Sequence, residues 1–185
     1  MQLYSLLSLA FIQVSLSSAL SVPRGHVKRR AETNATLYAY GSNASAWPIA
    51  YGLNDGCLYI TQNPDDSSAN ITAVTWDLPS ITQENWIVNA SFVNGTSAGS
   101  LYILPEDDYA IGVLPRTQIT EVNGTYSGFA LFATQLVYNN DTNLEANFWA
   151  EETDTDGLYA LIWEPEGEES SSGSFPVVIK GVEND

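Results

Sequence analysis

Short runs of β-branched and aromatic residues recur along the chain after residue 30, and Gly, Pro, Asn and Asp bound them. This pattern is typical of strands joined by turns. The runs that predict strands are ATLYAYG, WPIAYG, CLYIT, NITAVTW, NWIVNASFV, SLYIL, YAIGVL, SGFALFATQLVY, ANFWAE, GLYALIW and FPVVIK. None of them has a long helical period with caps. About ten strands at this spacing predict an all-β fold, a single antiparallel β-sandwich or a barrel-like domain.

Residues 1–21 differ from the rest of the chain because they carry no charged side chain and are rich in Leu, Ala, Phe, Ile and Val. A segment of this length could span a bilayer, but it also contains six serines. The small residues Ser17 and Ala19 suit a signal-peptidase site. We therefore predict a signal peptide over residues 1–19 and a secreted protein, located in the extracellular space or the cell wall.

A tribasic run follows this leader at Lys28, Arg29 and Arg30. The run resembles the end of a propeptide that is cut by kexin-like proteases of the fungal secretory pathway, which hold basic side chains in acidic pockets. The resemblance implies a propeptide over residues 20–30 and a mature protein that begins at Ala31.

The mature chain, residues 31–185, is expected to form one β-rich domain with an exposed acidic Ser/Gly loop at residues 164–174. All 22 Asp and Glu lie in it, against two basic residues, Arg116 and Lys180. So negative a chain repels phosphate groups, and we therefore expect no nucleic-acid partner. For the same reason we expect no membrane partner once the signal peptide is removed.

Asparagine sequons support the secretory route. Seven Asn residues of the mature chain stand in the acceptor pattern Asn-X-Ser/Thr without proline. They are Asn34, Asn43, Asn70, Asn89, Asn94, Asn123 and Asn140. Together with the leader, they predict an N-glycosylated protein.

Cysteine usage is unusual for a secreted chain, because Cys57 is the only cysteine. Secreted domains of this kind commonly rely on disulfides, and an intrachain disulfide is impossible here. Cys57 is interpreted either as a small buried side chain in a strand or as the link of a disulfide-bonded dimer. A monomer is the expected state, with the Cys57-linked dimer as the alternative.

Catalytic chemistry is restricted by the loss of His26 with the propeptide, because the mature chain then has no histidine. Ser-His-Asp and Cys-His catalysis and histidine-ligated metal sites are thereby excluded. A paired-acid glycosidase would draw on the remaining carboxylates. The candidates are Asp77, Glu84, Glu106, Asp107, Asp108, Glu145, Glu151 and Glu152. The stretch ENWIVNASF faintly resembles a block of the glutamic peptidases, but Asn85 occupies the position of the catalytic Glu.

No cofactor is expected, and one weak metal candidate remains. Glu152, Asp154 and Asp156 alternate before Gly157, which is similar to the start of an EF-hand loop for calcium. An acidic hairpin turn is the competing interpretation of the same residues.

Exposed aromatic rings are the best indication of binding, because they stack on sugar rings while Asp, Asn and Gln bind hydroxyls. Among the five tryptophans, Trp47, Trp86 and Trp149 are the candidates for glycan stacking. The alternative is that these side chains fill the core of the fold.

Leader, tribasic run, sequons and acidic β domain together resemble the small secreted, kexin-processed glycoproteins of filamentous fungi. The resemblance implies a non-enzymatic extracellular or cell-wall-associated protein with a role in host or surface interaction. One alternative is a carbohydrate-binding β-sandwich module that recognises cell-wall or host glycans. A second alternative is a carboxylate-dependent acid hydrolase.

Overall fold

The structure is a computed structural model and describes residues 30–105, 109–140, 143–165 and 173–184. The predicted signal peptide, Lys28 and Arg29 lie outside the described residues. So do the candidate acids at 106–108 and most of the predicted acidic loop.

The described residues form thirteen strands and one short helix. The strands are β1 Glu32–Gly41, β2 Ser45–Gly52, β3 Leu58–Thr61, β4 Ile71–Leu78, β5 Asn89–Phe92, β6 Ser97–Leu104, β7 Ala110–Leu114, β8 Phe129–Phe132, β9 Gln135–Asn139, β10 Leu144–Glu145, β11 Phe148–Glu152, β12 Leu158–Trp163 and β13 Phe175–Glu183. The helix α1 spans Arg116–Glu121, between β7 and β8. No helix among the described residues has the length and apolar character needed to cross a bilayer.

Nine of the strands close into an antiparallel barrel, which confirms the predicted all-β, barrel-like fold. The circuit runs β1, β2, β4, β5, β6, β7, β12, β11, β13 and returns to β1. The closing pair joins the first and last strands of the domain, from Ala35 opposite Glu183 to Gly41 opposite Val177. Closure gives each strand of the circuit two partners, which removes open sheet edges.

The remaining strands extend this barrel. β3 pairs with both β2 and β12. β9 pairs with β13 where Gln135 lies opposite Lys180, and β8 and β10 pair with β9.

The barrel interior is filled by side chains that alternate along the strands. In β1, Ala35, Leu37 and Ala39 are buried, whereas Tyr38 and Tyr40 are only partly buried on the outer face. Period-two alternation of this kind is what places one face of a strand in a core. The largest fully buried side chains of this core are Trp76, Phe129 and Phe148.

The sequence-based predictions missed the turn between β8 and β9 and the helix α1. The run SGFALFATQLVY was predicted as a single strand, but it forms the hairpin β8–β9, with a turn at Ala133 and Thr134. Ala133 adopts a left-handed conformation (φ +59°) that no Gly or Asn in the sequence signals. The helix α1 was not predicted, because a helix of six residues is too short to show an apolar period.

Candidate functional site

An open groove of about 660 Å³ lies where the segment between β4 and β5 meets β8 and β9. Aromatic, amide and hydroxyl side chains dominate its lining. The lining residues are Gln83, Glu84, Asn85, Trp86, Ile87, Thr125, Ser127, Gly128, Tyr138 and Asn139. We refer to this feature as the Trp86 groove.

The segment that carries Trp86, residues 79–88, is held against β8 by backbone hydrogen bonds. The Trp86 carbonyl accepts from the amides of Gly128 (2.8 Å) and Phe129 (3.1 Å). Leu131 donates to the Pro79 carbonyl at 2.7 Å and accepts from the Ile81 amide at 3.2 Å. This side of the groove therefore has a fixed backbone although it is not a strand.

The indole of Trp86 is oriented by the same segment. Its Nε1–H donates to the Gln83 carbonyl at 2.8 Å, and the Gln83 side-chain oxygen accepts from the Ser80 amide at 3.1 Å. Trp86 is half-buried. Because the polar edge of the ring is already bonded within the segment, the exposed part of the ring offers mainly its apolar surface.

The opposite side of the groove is also fixed. Thr125 exchanges two backbone hydrogen bonds with Ile103, and Tyr138 packs against Phe129 (5.1 Å between ring centroids) and Trp163 (5.5 Å). Gly128 has a φ of +100°, and a Cβ atom there would lie 2.9 Å from the Asn139 carbonyl oxygen. Only glycine fits this close approach of the two backbones.

A smaller depression of about 260 Å³ adjoins the groove and shares Gln83 and Ile87 with it. It contains the buried Glu32 and the exposed Asp77. Of the carboxylic acids proposed from the sequence, the structure thus places Glu84 in the groove and Asp77 beside it. Glu145, Glu151 and Glu152 are not among the lining residues of either depression.

The three candidate tryptophans do not share one surface. Trp86 lines the groove, whereas Trp47 packs on Tyr159, with 5.8 Å between ring centroids. Trp149 lies half-buried on β11, opposite Ile162 and Pro176 of the neighbouring strands. The other two tryptophans are buried, Trp76 at 1 % and Trp163 at 5 % exposure. Of the three candidates, Trp86 is therefore the one that lines a groove together with polar side chains.

The weak calcium candidate lies at the hairpin between β11 and β12. Thr153 organises this turn, because its hydroxyl donates to the Leu158 carbonyl at 2.7 Å and accepts from the Thr155 amide at 3.2 Å. Within the described ranges, no group of three or more His, Cys, Asp or Glu is arranged to hold a metal ion. The positions of Glu152, Asp154 and Asp156 thus match the hairpin interpretation better than the EF-hand one.

Cys57 is partly exposed. It precedes β3, and its amide donates to Asp55 Oδ1 at 2.9 Å. The other oxygen of Asp55 accepts from the Tyr59 hydroxyl at 2.7 Å. Burial, followed by the charge of Asp55, raises the pKa of Tyr51. Burial and the Asp55 hydrogen bond do the same to the pKa of Tyr59.

The residues predicted for processing and glycosylation lie mostly at the surface where the structure describes them. Arg30 lies two residues before the start of β1. It is exposed and forms an ion pair with Glu183. Six of the seven sequon asparagines are exposed, and Asn89 in β5 is half-buried. Three sequons flank the groove: Thr125 completes the Asn123 sequon, Asn140 follows Asn139, and Asn89 follows Ile87 by two residues.

The Trp86 groove was only partly predictable. Trp86 was named from the sequence, but its partners at residues 125–128 and 138–139 were not, because they come from distant parts of the chain. No protein-family model, curated protein or solved structure matches this chain.

Proposed function

We propose that this is a secreted, N-glycosylated, non-enzymatic protein of the extracellular space or cell wall, and that it binds carbohydrate in the Trp86 groove. One observation carries the proposal: Trp86 and Tyr138 line a single groove together with the amides of Gln83, Asn85 and Asn139. The leader, tribasic run and sequons support the secretory part.

Carbohydrate suits this lining for two physical reasons. The C–H faces of a pyranose ring pack on aromatic faces, and this contact removes apolar area of both partners from water. Carboxamides and hydroxyls have both donors and acceptors, as sugar hydroxyls do. Backbone hydrogen bonds fix both sides of the groove before a ligand binds. Binding therefore costs little conformational entropy of the protein.

The charge of the chain narrows the class of sugar. Glu84 lines the groove, and acidic residues outnumber basic ones 22 to 6 over the full sequence. A sulfated or uronic-acid polymer would be repelled by this field. We therefore propose a neutral or amino-sugar glycan as the ligand class.

Hydrolysis is the second candidate function, and Asp77 near the groove is the observation that favours it. A paired-acid mechanism needs two carboxyl groups on either side of one glycosidic bond. Glu84 is the one carboxylic acid among the described residues that line the groove, and Asp77 belongs to the adjoining depression. Binding without hydrolysis is thus the better supported of the two.

A glycan array with the secreted protein tests the proposal. The protein's own N-glycans should first be trimmed, because the sequons at Asn89, Asn123 and Asn140 flank the groove. We expect binding to one class of neutral or amino sugars. Trp86→Ala should weaken it about tenfold, the equivalent of roughly 1.4 kcal/mol. Asn85→Ala, at an exposed position, should also weaken it without affecting the fold.

Trp149→Ala is the matched control, because Trp149 is also half-buried but is not among the residues that line the groove. It should leave affinity unchanged. If Trp86→Ala and Trp149→Ala bind alike, the groove is not the binding site. Release of reducing ends from the bound glycan at low pH, abolished by Glu84→Gln, would establish hydrolysis instead.

A further inference from the structure

The strands β5 and β6 form a hairpin, and its tip has the sequence Phe-Val-Asn-Gly-Thr, residues 92–96. Its three-residue loop is closed by two backbone hydrogen bonds of 2.8 Å, from the Gly95 amide to the Phe92 carbonyl and from the Phe92 amide to the Thr96 carbonyl. Gly95 is left-handed (φ +83°), as a turn followed by a bulge requires. Phe92 and Thr96 therefore lie opposite each other, so their side chains share one face of the hairpin.

This hairpin tip exposes apolar surface. Val93 is 76 % exposed, the highest value among the large apolar side chains that the structure describes as exposed. Phe92 is only half-buried. Its ring meets Tyr51 edge-on at 5.4 Å, which fixes the ring while part of it stays in solvent.

Between these residues stands Asn94, the acceptor residue of the sequon Asn94-Gly-Thr. Its side-chain oxygen accepts from the Thr96 amide at 2.9 Å. Its side-chain nitrogen, the atom to which an N-glycan is attached, has no hydrogen-bond partner among the described residues. Asn94 and Thr96 are both exposed.

The other sequons lack this combination. Asn89 lies in β5, and its side-chain oxygen accepts from Ser100 Oγ (2.8 Å) and Arg116 (3.3 Å). The side-chain nitrogen of Asn140 donates to Glu145. An aromatic residue stands two positions before the acceptor only at Asn94 and Asn140, and the one before Asn140, Tyr138, packs between Phe129 and Trp163.

We propose that Asn94 carries an N-glycan and that its first N-acetylglucosamine packs on Phe92 and Val93, covering the apolar tip of this hairpin. The bond forms between Asn94 Nδ2 and C1 of a lipid-diphosphate-linked oligosaccharide. The C1–oxygen bond to the diphosphate breaks, the lipid diphosphate leaves with the bonding electrons, and the amide loses one proton. This inference rests on the secretory route proposed above.

Packing on the ring makes the glycan a stabilising part of the fold. A pyranose face on Phe92 buries apolar area that otherwise remains in water. The gain is local, so it should depend on Phe92 and should be absent at a sequon without a neighbouring aromatic ring. Asn43 is such a sequon, because Gly41 stands two positions before it and Asn43 is equally exposed.

The experiment expresses the full chain with its own leader in a yeast host and maps glycans on peptides by mass spectrometry. Thr96→Ala removes the Asn94 sequon but keeps Asn94, and Ser45→Ala is the matched control at the Asn43 sequon. All proteins are trimmed to one N-acetylglucosamine per site. We expect Asn94 to be occupied and Thr96→Ala to lower Tm by about 2 to 4 °C. Ser45→Ala should lower Tm less.

The contact of the glycan with Phe92 and Val93 is tested by repeating Thr96→Ala in a Phe92→Leu background and in a Val93→Ser background. Val93 is too exposed for its substitution to affect folding. The Tm loss should shrink in both. An equal loss in all backgrounds, or a secreted protein glycosylated elsewhere but not at Asn94, would overturn the inference. A chain that is secreted without any glycan would likewise overturn the inference while leaving secretion intact, whereas a chain that stays in the cell would refute the secretory function.

Discussion

Asp55 illustrates how much of the turn between β2 and β3 depends on one side chain. Its two oxygens accept from the Cys57 amide and the Tyr59 hydroxyl. A Cβ atom at Gly52 would lie 2.2 Å from Asp55 Oδ1, so the carboxylate occupies the space that a side chain at this position would need. The acidic side chain in this turn therefore serves local structure, because it bonds to the backbone of Cys57 and to the side chain of Tyr59.

Asp55→Asn tests this arrangement. The pKa of Tyr59 is raised first by burial and then by the hydrogen bond and charge of Asp55. The substitution removes the charge of Asp55, so the pKa of Tyr59 should fall but stay above its ordinary value of 10.0. A raised tyrosine pKa stabilises the fold below pH 10, and this contribution is lost as pH rises. Alkaline titration followed by tyrosine absorbance measures the change, and Asp156→Asn is a control at a distant exposed carboxylate. An unchanged titration curve would contradict this role of Asp55.

At the scale of single elements, β6 depends on a glycine where it passes the end of β7. Gly99 has a φ of +140°, and a Cβ atom there would lie 2.3 Å from the backbone carbonyl of Leu114. Neither backbone can move without disturbing the barrel circuit, since β6 pairs with β5 on one side and β7 on the other.

We expect Gly99→Ala to lower the free energy of unfolding by about 3 kcal/mol or more, because both strain and overlap have to be relieved. Gly157→Ala is the matched control. Its φ is also positive (+74°), but a Cβ atom there meets nothing within 4 Å, so the cost should be about 1 kcal/mol. Chemical denaturation of both variants gives the comparison, and equal losses would show that Gly99 is not under steric constraint.

Elements whose signal is local could be predicted, and elements that depend on distant partners could not. The runs ATLYAYG and GLYALIW became β1 and β12 because strand residues and flanking turns lie within a few positions. The run NWIVNASFV contains only the short β5, because the amides and carbonyls of residues 79–88 bond to β8 and β6 instead of a neighbouring strand in register. The Trp86 groove arises from these irregular contacts, which have no sequence period.

At the scale of the whole molecule, the first residue of the secreted protein remains a prediction. Arg30 lies next to the folded barrel, since Glu32 in β1 already pairs with Leu78. The side chains of Arg30 and Glu183, which form an ion pair, are 66 % and 35 % exposed. Loss of this pair should therefore lower the free energy of unfolding by at most about 1 kcal/mol. N-terminal sequencing of the secreted protein should give Ala31, and replacing Lys28, Arg29 and Arg30 together by Ala should move the start toward Leu20. A wild-type protein that starts near Leu20 would show that the tribasic site is not used.

The net charge sets how the whole barrel should respond to pH and salt. With 22 carboxylates against two basic residues after residue 30, repulsion is strong at neutral pH. Folding brings these charges closer together, so partial protonation or screening should favour the folded state. Protonation of Asp66 should instead destabilise the fold. Hydrogen bonds from the Ser68 hydroxyl (2.6 Å) and amide (2.9 Å) stabilise its charged form and lower its pKa.

These two effects predict a maximum of stability in weakly acidic solution. Relief of repulsion should raise Tm between pH 7.5 and pH 5 in low salt, and added salt at pH 7.5 should raise it as well. A lowered carboxyl pKa contributes stability above the ordinary value of 3.8 and loses it as pH falls further. Asp66→Asn should therefore reduce Tm more at pH 5 than at pH 2. A Tm independent of pH and salt between pH 7.5 and 5 would contradict the role assigned here to repulsion between the carboxylates.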